Sequence, residues 1–582
     1  MTRLHTSFNH NPLLESRVPG WRARVVLALM LIGSTVLVGR AMYLQGVNQE
    51  FLQRKGESRY ARTLELPATR GKVVDRHGDT LATSTPVKSI AAIPDMAQLS
   101  PAQVIQLAKV LEVEPSDINR RLSSGRDYVY LARAVAPDVA EAALALKLPG
   151  IQAQDEYRRY YPAGEMVAHM VGFTNIDDKG QEGIELAFND QLSGQPGSRR
   201  VIKDRRGQIV EDVETIRRPQ DGATVQLALD SKIQFLAYSA LKQAVQNMRA
   251  KSGAALVVDA RTGEVLALVN NPTYNPNNRS RLSGEQLRNR VVTDSFEPGS
   301  TMKPFVAAMA LESNRFRADT LVDVNGGQLT LDGATIRDSH HQDGPMTVAQ
   351  IIQKSSNIGS AKMALTFAPE QMWQTYSDLG FGQPVRVGFP GEVGGRLRPW
   401  KTWRPIEQAT MAYGHGVSVT TMQLVHAYMA FAREGELIPL SLTRVDAPVV
   451  HGKRVFSREV ASQVLGMMES VVAPGGTATR AAVPGYRIAG KTGTAHKLEN
   501  GRYTNKYLSS FVGIAPASDP RLIVAVIIDE PSAGKHFGGE VAGPVFSQIT
   551  AGALRTLGIR PDAPPAPLRL ASQNVGNLRG DM

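Results

Sequence analysis

Glu297-Pro298-Gly299-Ser300-Thr301-Met302-Lys303-Pro304 runs directly into the apolar stretch Phe305 to Leu311. Pro298 and Gly299 break the chain, Ser300 can open a helix, and Lys303 then stands one turn on, at i+3, on the same face. A serine hydroxyl is a poor nucleophile until a base takes its proton. A lysine becomes such a base when burial or nearby positive charge lowers its pKa, because desolvation disfavours the ammonium. The N-terminus of a helix also favours developing negative charge. On its own the pair reads as a surface serine beside a surface lysine, because Ser-x-x-Lys arises often by chance.

Two further elements bear on that reading. Lys354-Ser355-Ser356-Asn357 closes a helical stretch that starts near Thr347 and contains Ser355-x-Asn357. A second hydroxyl there can relay a proton to a leaving group, and an amide can bind a substrate backbone. Read plainly, it is a polar helix C-terminus. Arg487-Ile488-Ala489 leads into Lys491-Thr492-Gly493-Thr494, where an edge strand can lie alongside an extended substrate. Gly493 would let that substrate approach closely. The backbone N–H groups of Thr494 and Ser300 can hold the oxyanion of a tetrahedral intermediate. Lys491 and the hydroxyls of Thr492 and Thr494 can bind a carboxylate.

In this order the three segments match the Ser-x-x-Lys, Ser-x-Asn and Lys-Thr-Gly set of serine acyl-enzymes. The chain resembles class B penicillin-binding proteins, in particular the division-specific FtsI type, over most of residues 25 to 550. Arg70-Gly71-Lys72-Val73-Val74-Asp75-Arg76 with Leu81-Ala82, Gly180-Gln181-Glu182-Gly183-Ile184-Glu185, Tyr413-Gly414-His415-Gly416 and Phe511-Val512-Gly513 also fit that family. The resemblance implies the penicillin-binding transpeptidase fold and a D,D-transpeptidase of septal peptidoglycan. Ser300 would attack the penultimate D-alanine of one stem peptide and pass the acyl group to the amine of another. β-Lactams would acylate the same serine. It implies no cofactor and no metal. The expected partners are stem peptides, an FtsW-type glycan polymerase and other division proteins. A Glu-x-x-Leu-Asn motif for rapid deacylation is missing, as is the acidic signature of a glycosyltransferase domain in residues 45 to 235.

The rest of the chain must position these groups. Its 582 residues call for several domains, and its 42% hydrophobic and 21% charged content is that of folded protein. The net charge of +12 reads as a solvated basic surface or an attraction to anionic partners; no nucleic-acid motif accompanies it. The absence of cysteine excludes disulfides, thiol nucleophiles and thiolate metal sites. Val25 to Gly39 is uncharged, Arg40 interrupts it, and Ala41 to Leu44 completes a segment of membrane-spanning length. Arg3, Arg17, Arg22 and Arg24 precede it, which places the N-terminus in the cytoplasm. With no clean cleavage site, the segment is expected to be an uncleaved anchor in the inner membrane, the alternative being a cleaved signal peptide.

The expected divisions are a cytoplasmic tail over 1–24, an anchor over 25–44, a mixed non-catalytic pedestal over 45–235, a catalytic domain over 236–560 and a disordered tail over 561–582. Pro101 to Leu111 and Ser231 to Met248 have helical patterns, the second with Asp230 as N-cap. Ala254 to Val258 and Val265 to Val269 form one hairpin, and Ser509 to Ile514 with Leu522 to Ile528 another. Strands at both ends with helices between predict an α/β (α+β) domain whose antiparallel sheet uses both chain ends.

Gly485 to Thr492 also matches the phosphate-binding loop G-x-x-x-x-G-K-[ST], and Asp529-Glu530 after Leu522 to Ile528 imitates a magnesium-binding acid. A nucleotide hydrolase is thus one alternative and a non-catalytic β-lactam sensor of the same fold another. Pro484 is wrong for a central strand, and Ala495 to Gly501 reads as a turn-prone stretch with no helical face. His340-His341 with Asp338 and Asp343 can suggest a metal site or a polar loop. Arg199-Arg200 and Arg205-Arg206 read as a solvated face.

Overall fold

The structure is a computed structural model describing residues 19–47, 61–203, 209–339, 344–448, 450–499 and 501–563. Arg3, Arg17, Arg205-Arg206, His340-His341, Asp343 and most of the proline-rich tail lie outside the described residues. Helix α1 (Gly20–Met42) exposes every apolar side chain it has, and no described residue packs into its face. Such a surface is stable in a bilayer, and at about 1.5 Å per residue it matches a hydrocarbon core of about 30 Å. It starts five residues before the expected anchor. Trp21 and Tyr43 stand near its two ends, stacked under Arg22 and Arg40 respectively, as interfacial residues do.

Near the other end of the chain five strands form one sheet: β1 (Ser252–Asp259), β2 (Val265–Asn271), β3 (Ala489–Glu499), β4 (Arg502–Ala515) and β5 (Leu522–Asp529). Their order is β2-β1-β5-β4-β3, and every neighbouring pair is antiparallel. The sheet is therefore closed by both ends of the domain, as the two hairpins predict. Every residue of β1, and Leu522 to Ile528 of β5, is buried. That explains apolar runs without alternation: both faces are covered.

Helix α2 (Ser231–Asn247) packs on the sheet and against α8 (Gly543–Thr556); α6 (Thr421–Ala432) and α7 (Arg458–Val472) pack on it as a second group. Between β2 and β3 lie α3 (Lys303–Glu312), which follows Ser300, α4 (Val348–Lys354) and α5 (Asn357–Ala364). Asp230 caps α2 as expected, its carboxylate accepting from the N–H groups of Lys232 and Ile233 at 3.0 and 3.1 Å. Since α2 begins at Ser231, a division at 235/236 would cut it.

One expectation needs correction. Ala495 to Glu499, read as turn-prone, continues strand β3, and β4 begins at Arg502. Residues 71–75 hold only a short strand, Val73–Val74. Its neighbours do structural work instead. Asp75 accepts from the N–H of Ser231 at 3.3 Å, and Arg76 reaches Glu264 at the tip of the β1–β2 hairpin at 3.4 Å. Arg70 and Arg159, both buried, donate to opposite oxygens of buried Glu185 at 2.7 and 2.6 Å. Val73, Leu81, Tyr161 and Ile184 share one continuous core with the catalytic sheet. A separate core around Ile90, Leu107 and Leu131 serves the outer part of the pedestal.

Removing the shared anion would strand two guanidinium groups in the interior. Glu185→Ala should therefore destabilise the pedestal by about 3–5 kcal/mol. Native-state hydrogen exchange of the strand Thr80–Ala92 measures this, and a loss under about 1 kcal/mol would contradict the assignment.

Candidate active site

Ser300 sits in a single turn of 3-10 helix, Gly299–Met302, and the α-helix begins at Lys303. The expectation that Ser300 itself opens the α-helix is thereby corrected. Ser300 is half-buried, whereas Lys303 has no exposed surface.

The second element is not simply a helix end. Thr347 caps α4 with a reciprocal capping box, α4 stops at Lys354, and Ser356 caps α5, which opens at Asn357. Ser355 is the hinge between them, in the left-handed region at φ 61°. A serine there costs about 1 kcal/mol where a glycine would not. Its side chain has two lysine partners. Lys303 Nζ donates to the Ser355 carbonyl at 2.5 Å, to Ser355 Oγ at 3.1 Å and to Asn357 Oδ1 at 2.8 Å. Lys491 Nζ, equally buried, donates to the same Ser355 Oγ at 2.9 Å and to Thr492 Oγ1 at 3.3 Å. Burial and the neighbouring Lys491 charge hold Lys303 well below the usual lysine range. Burial alone brings Lys491 down to about 7. Lys303 bears both effects, with the Asp338 charge opposing them.

Lys491, Thr492, Gly493 and Thr494 lie on β3, an edge strand paired only with β4. A phosphate loop must instead wrap its anion and open a helix, so the nucleotide-binding geometry is not formed. Thr492 Oγ1 meets Thr477 Oγ1 at 3.3 Å, and Thr494 Oγ1 accepts from the N–H of Gly538 at 3.0 Å. Gly493 also has a structural reason. A β-carbon there would stand 2.2 Å from Ser510 Oγ and 2.8 Å from the Pro298 carbonyl. The close approaches are to β4 and to the turn that carries Ser300. On the other side of that turn, Gly414 at φ 87° leaves room for Gly299, whose backbone would lie 2.2–2.7 Å from a β-carbon. The turn is clamped between two glycines.

Several groups escaped the sequence reading. Asp338, weighed only as a metal ligand, accepts from Ser356 Oγ at 2.7 Å, Asn357 N at 2.5 Å and Ile358 N at 3.1 Å. It thus holds the Ser355–Asn357 hinge from outside. Glu297 accepts from Gly416 N at 2.7 Å and from the Tyr503 hydroxyl at 3.1 Å. Tyr428 donates to the Thr301 carbonyl at 2.8 Å. Only Glu297 and Gly416 had a signal, through their adjacency to quoted motifs. Among the described residues, no three His, Cys, Asp or Glu side chains converge as metal ligands would.

The profile of the penicillin-binding protein transpeptidase domain matches residues 253–551, and that of the penicillin-binding protein dimerisation domain matches 65–227. The chain belongs to the penicillin-binding protein transpeptidase family. Among its relatives is the probable peptidoglycan D,D-transpeptidase PenA of Neisseria gonorrhoeae, 45% identical over 93% of this chain and 94% of that one. The peptidoglycan D,D-transpeptidase FtsI of Escherichia coli K12 is 42% identical over 93% of each. The apo TP domain of Burkholderia pseudomallei penicillin-binding protein 3 has 52% identity and a TM-score of 0.54, covering 58% of this chain and 98% of that one. Membership of the penicillin-binding transpeptidase family accords with the fold expected from the two hairpins.

Asp338 is the one group named above whose charge raises the Lys303 pKa. Asp338→Asn removes that charge, so Lys303 should hold its proton less well and titrate at lower pH than in the parent. The variant should also lose about 1–3 kcal/mol, since an amide nitrogen cannot accept from Ser356. A pH titration of the Lys303 side-chain nitrogen by NMR reads the first effect; an upward shift would refute it.

Proposed function

We propose that this chain is a membrane-anchored peptidoglycan D,D-transpeptidase acting through a serine acyl-enzyme on Ser300. The observation that carries the reading is the buried Lys303, three residues after Ser300 and bonded to Ser355 Oγ and Asn357 Oδ1, together with relatives named for this activity. Lys303 as neutral amine takes the Ser300 proton while Oγ attacks the carbonyl carbon of the penultimate D-alanine. The oxyanion meets the N–H groups of Ser300 and Thr494. Support for that pair comes from Gly299, whose β-carbon position lies 3.6 Å from the Thr494 nitrogen.

Collapse breaks the C–N bond, and the leaving nitrogen takes a proton through Ser355 Oγ, which contacts both lysines. The departing D-alanine carboxylate is held by Lys491, Thr492 and Thr494. Asn357 spends one N–H on the Arg337 carbonyl at 2.8 Å, and its second remains for the donor's backbone. The amine of a second stem peptide then attacks the ester carbonyl. It loses its proton to Lys303, the ester C–O bond breaks, and Ser300 regains its hydrogen. A β-lactam follows only the first half: its amide bond opens, the amine stays tethered, and the ester persists.

Helix α1 anchors the chain with its N-terminus in the cytoplasm, an orientation supported by Arg22 and Arg24 at its start. The catalytic domain then faces the periplasm. The resemblance to the division-specific type supports a septal role beside an FtsW-type polymerase and other division proteins.

The test is mass spectrometry of the full-length chain in detergent after benzylpenicillin treatment, with peptide mapping. A stable adduct is expected on Ser300. Ser300→Ala should lose it while staying folded, and Lys303→Ala should slow acylation by about 10²–10⁴. Undiminished labelling of Ser300→Ala would refute the nucleophile. Acylation without any cross-linking of stem peptides, even with the polymerase present, would point to a sensor instead.

A further inference from the structure

Glu182 and Glu185 stand three positions apart in the pedestal and fare differently. Glu185 is answered by two arginines. The Glu182 carboxylate has neither a hydrogen bond nor an ion pair among the described residues, although the side chain is partly buried. It stands immediately before the short helix Gly183–Ala187 and makes no capping bond there. Burial raises its pKa, with no neighbouring charge or hydrogen bond acting against it. An anion partly removed from water without a partner costs free energy, and the fold itself offers Glu182 none.

Glu182 lines a cavity of about 400 Å³, a size that suits a compact ligand. His169, Gln181 and Leu186 line it from the inner pedestal, and Tyr274, Leu287 and Phe389 from the catalytic domain. His169 is 6% exposed, and burial brings its pKa down to about 4, so the ring is neutral. Its Nε2 lies 2.7 Å from the Gln286 carbonyl, which can only accept. Nε2 therefore carries the hydrogen, and Nδ1, with no partner among the described residues, is left as an acceptor. The Tyr274 hydroxyl spends its hydrogen on the Ala168 carbonyl at 3.1 Å. The Gln181 amide donates to the carbonyls of Lys179 and Gly180 at 3.2 and 3.0 Å, which leaves its oxygen. The one cation in the lining, Arg288, is already paired with Asp294 at 2.5 Å. The cavity thus holds one unanswered negative charge and several spare acceptors beside the apolar Leu186, Leu287 and Phe389. That combination suits a ligand that brings a positive charge, N–H donors and an apolar body together.

We propose that this cavity binds a small organic cation, a primary ammonium on a compact apolar stem, with Glu182 as its counter-ion and His169 Nδ1 as a second acceptor. Each side of the seam supplies part of the lining, so the bound cation ties the inner pedestal to the catalytic domain.

The probe is benzylammonium chloride, titrated calorimetrically near neutral pH into the full-length chain in an uncharged detergent, with benzyl alcohol as its neutral counterpart. The amine should bind at least about tenfold more tightly than the alcohol. Glu182→Gln keeps the shape of the side chain and removes its charge, and should bring the two ligands to within about threefold of each other. Gly284→Trp leaves Glu182 in place. Gly284 lines the cavity, and a β-carbon there meets nothing within 4 Å, so an indole can occupy the space. That variant should weaken the amine at least about tenfold. Circular dichroism reports the folding of each variant, and Gly284→Trp decides if Glu182→Gln does not fold. Absence of amine binding to the parent overturns the proposal, as does equal binding of amine and alcohol. Amine binding that is unchanged in either folded variant overturns it as well.

Discussion

Lys303 and Lys491 converge on one hydroxyl, Ser355 Oγ, in a place neither can leave and water does not reach. Two ammonium groups cannot both be comfortable there. Burying each costs several kcal/mol, and their mutual repulsion is poorly screened in the interior. The fold answers by lowering both pKa values and giving Lys303 three oxygen acceptors. Burial and like charge favour the neutral amine, while the three acceptors favour the ammonium. The left-handed backbone of Ser355 belongs to the same arrangement. It aims the carbonyl and the hydroxyl of one residue at the same amine, which a regular helix end could not do.

A strong base is useful only if the nucleophile is held in register with it, since misplacement by about 1 Å can cost 10²-fold in rate. The nucleophile turn obtains its register from backbone contacts rather than from side chains. It is pressed on one side by β3 at Gly493 and on the other by Gly414, with Thr301 held by Tyr428. Backbone against backbone leaves no rotamer to relax. The same press brings the Thr494 nitrogen close to Gly299. The turn that carries Ser300 and the strand that carries Thr494 are thereby held against each other.

Local patterning made much of this legible. The helix Pro101–Leu111 and the capped start of α2 follow from proline, Asp230 and apolar spacing. The two hairpins follow from β-branched runs bounded by turns. Illegible features share a cause: their reason lies in distant parts of the chain. His496-Lys497-Leu498-Glu499 lacks any buried periodicity, yet it is a strand because β4 extends to meet it and Lys497 pairs with Asp529 and Glu530 at 2.8 and 2.7 Å. Asp338 looked like part of a metal cluster because its partners, Ser356 to Ile358, lie about 20 positions away. The packing reason for Gly493 was hidden because no sequence pattern reveals Pro298 behind it. The motifs named the groups, but not which of them face one another.

The pedestal motif around Arg70 to Arg76 completes the physical picture. Domains joined by small polar interfaces move relative to each other by default, and those joined by a large apolar interface do not. Here Val73, Leu81, Tyr161 and Ile184 belong to the same core as β1 and β5. Asp75 supplies an acceptor to the first turn of α2, and Arg76 fastens the β1–β2 tip at Glu264. The inner pedestal is thus built into the catalytic domain, while the outer part, around Ile90 and Leu107, keeps a core of its own. The shared core thereby holds the catalytic domain in a fixed attitude to the inner pedestal. The buried Arg70–Glu185–Arg159 cluster lies in the layer that sets that attitude, which gives a physical reason for an ionic group where apolar packing would otherwise serve.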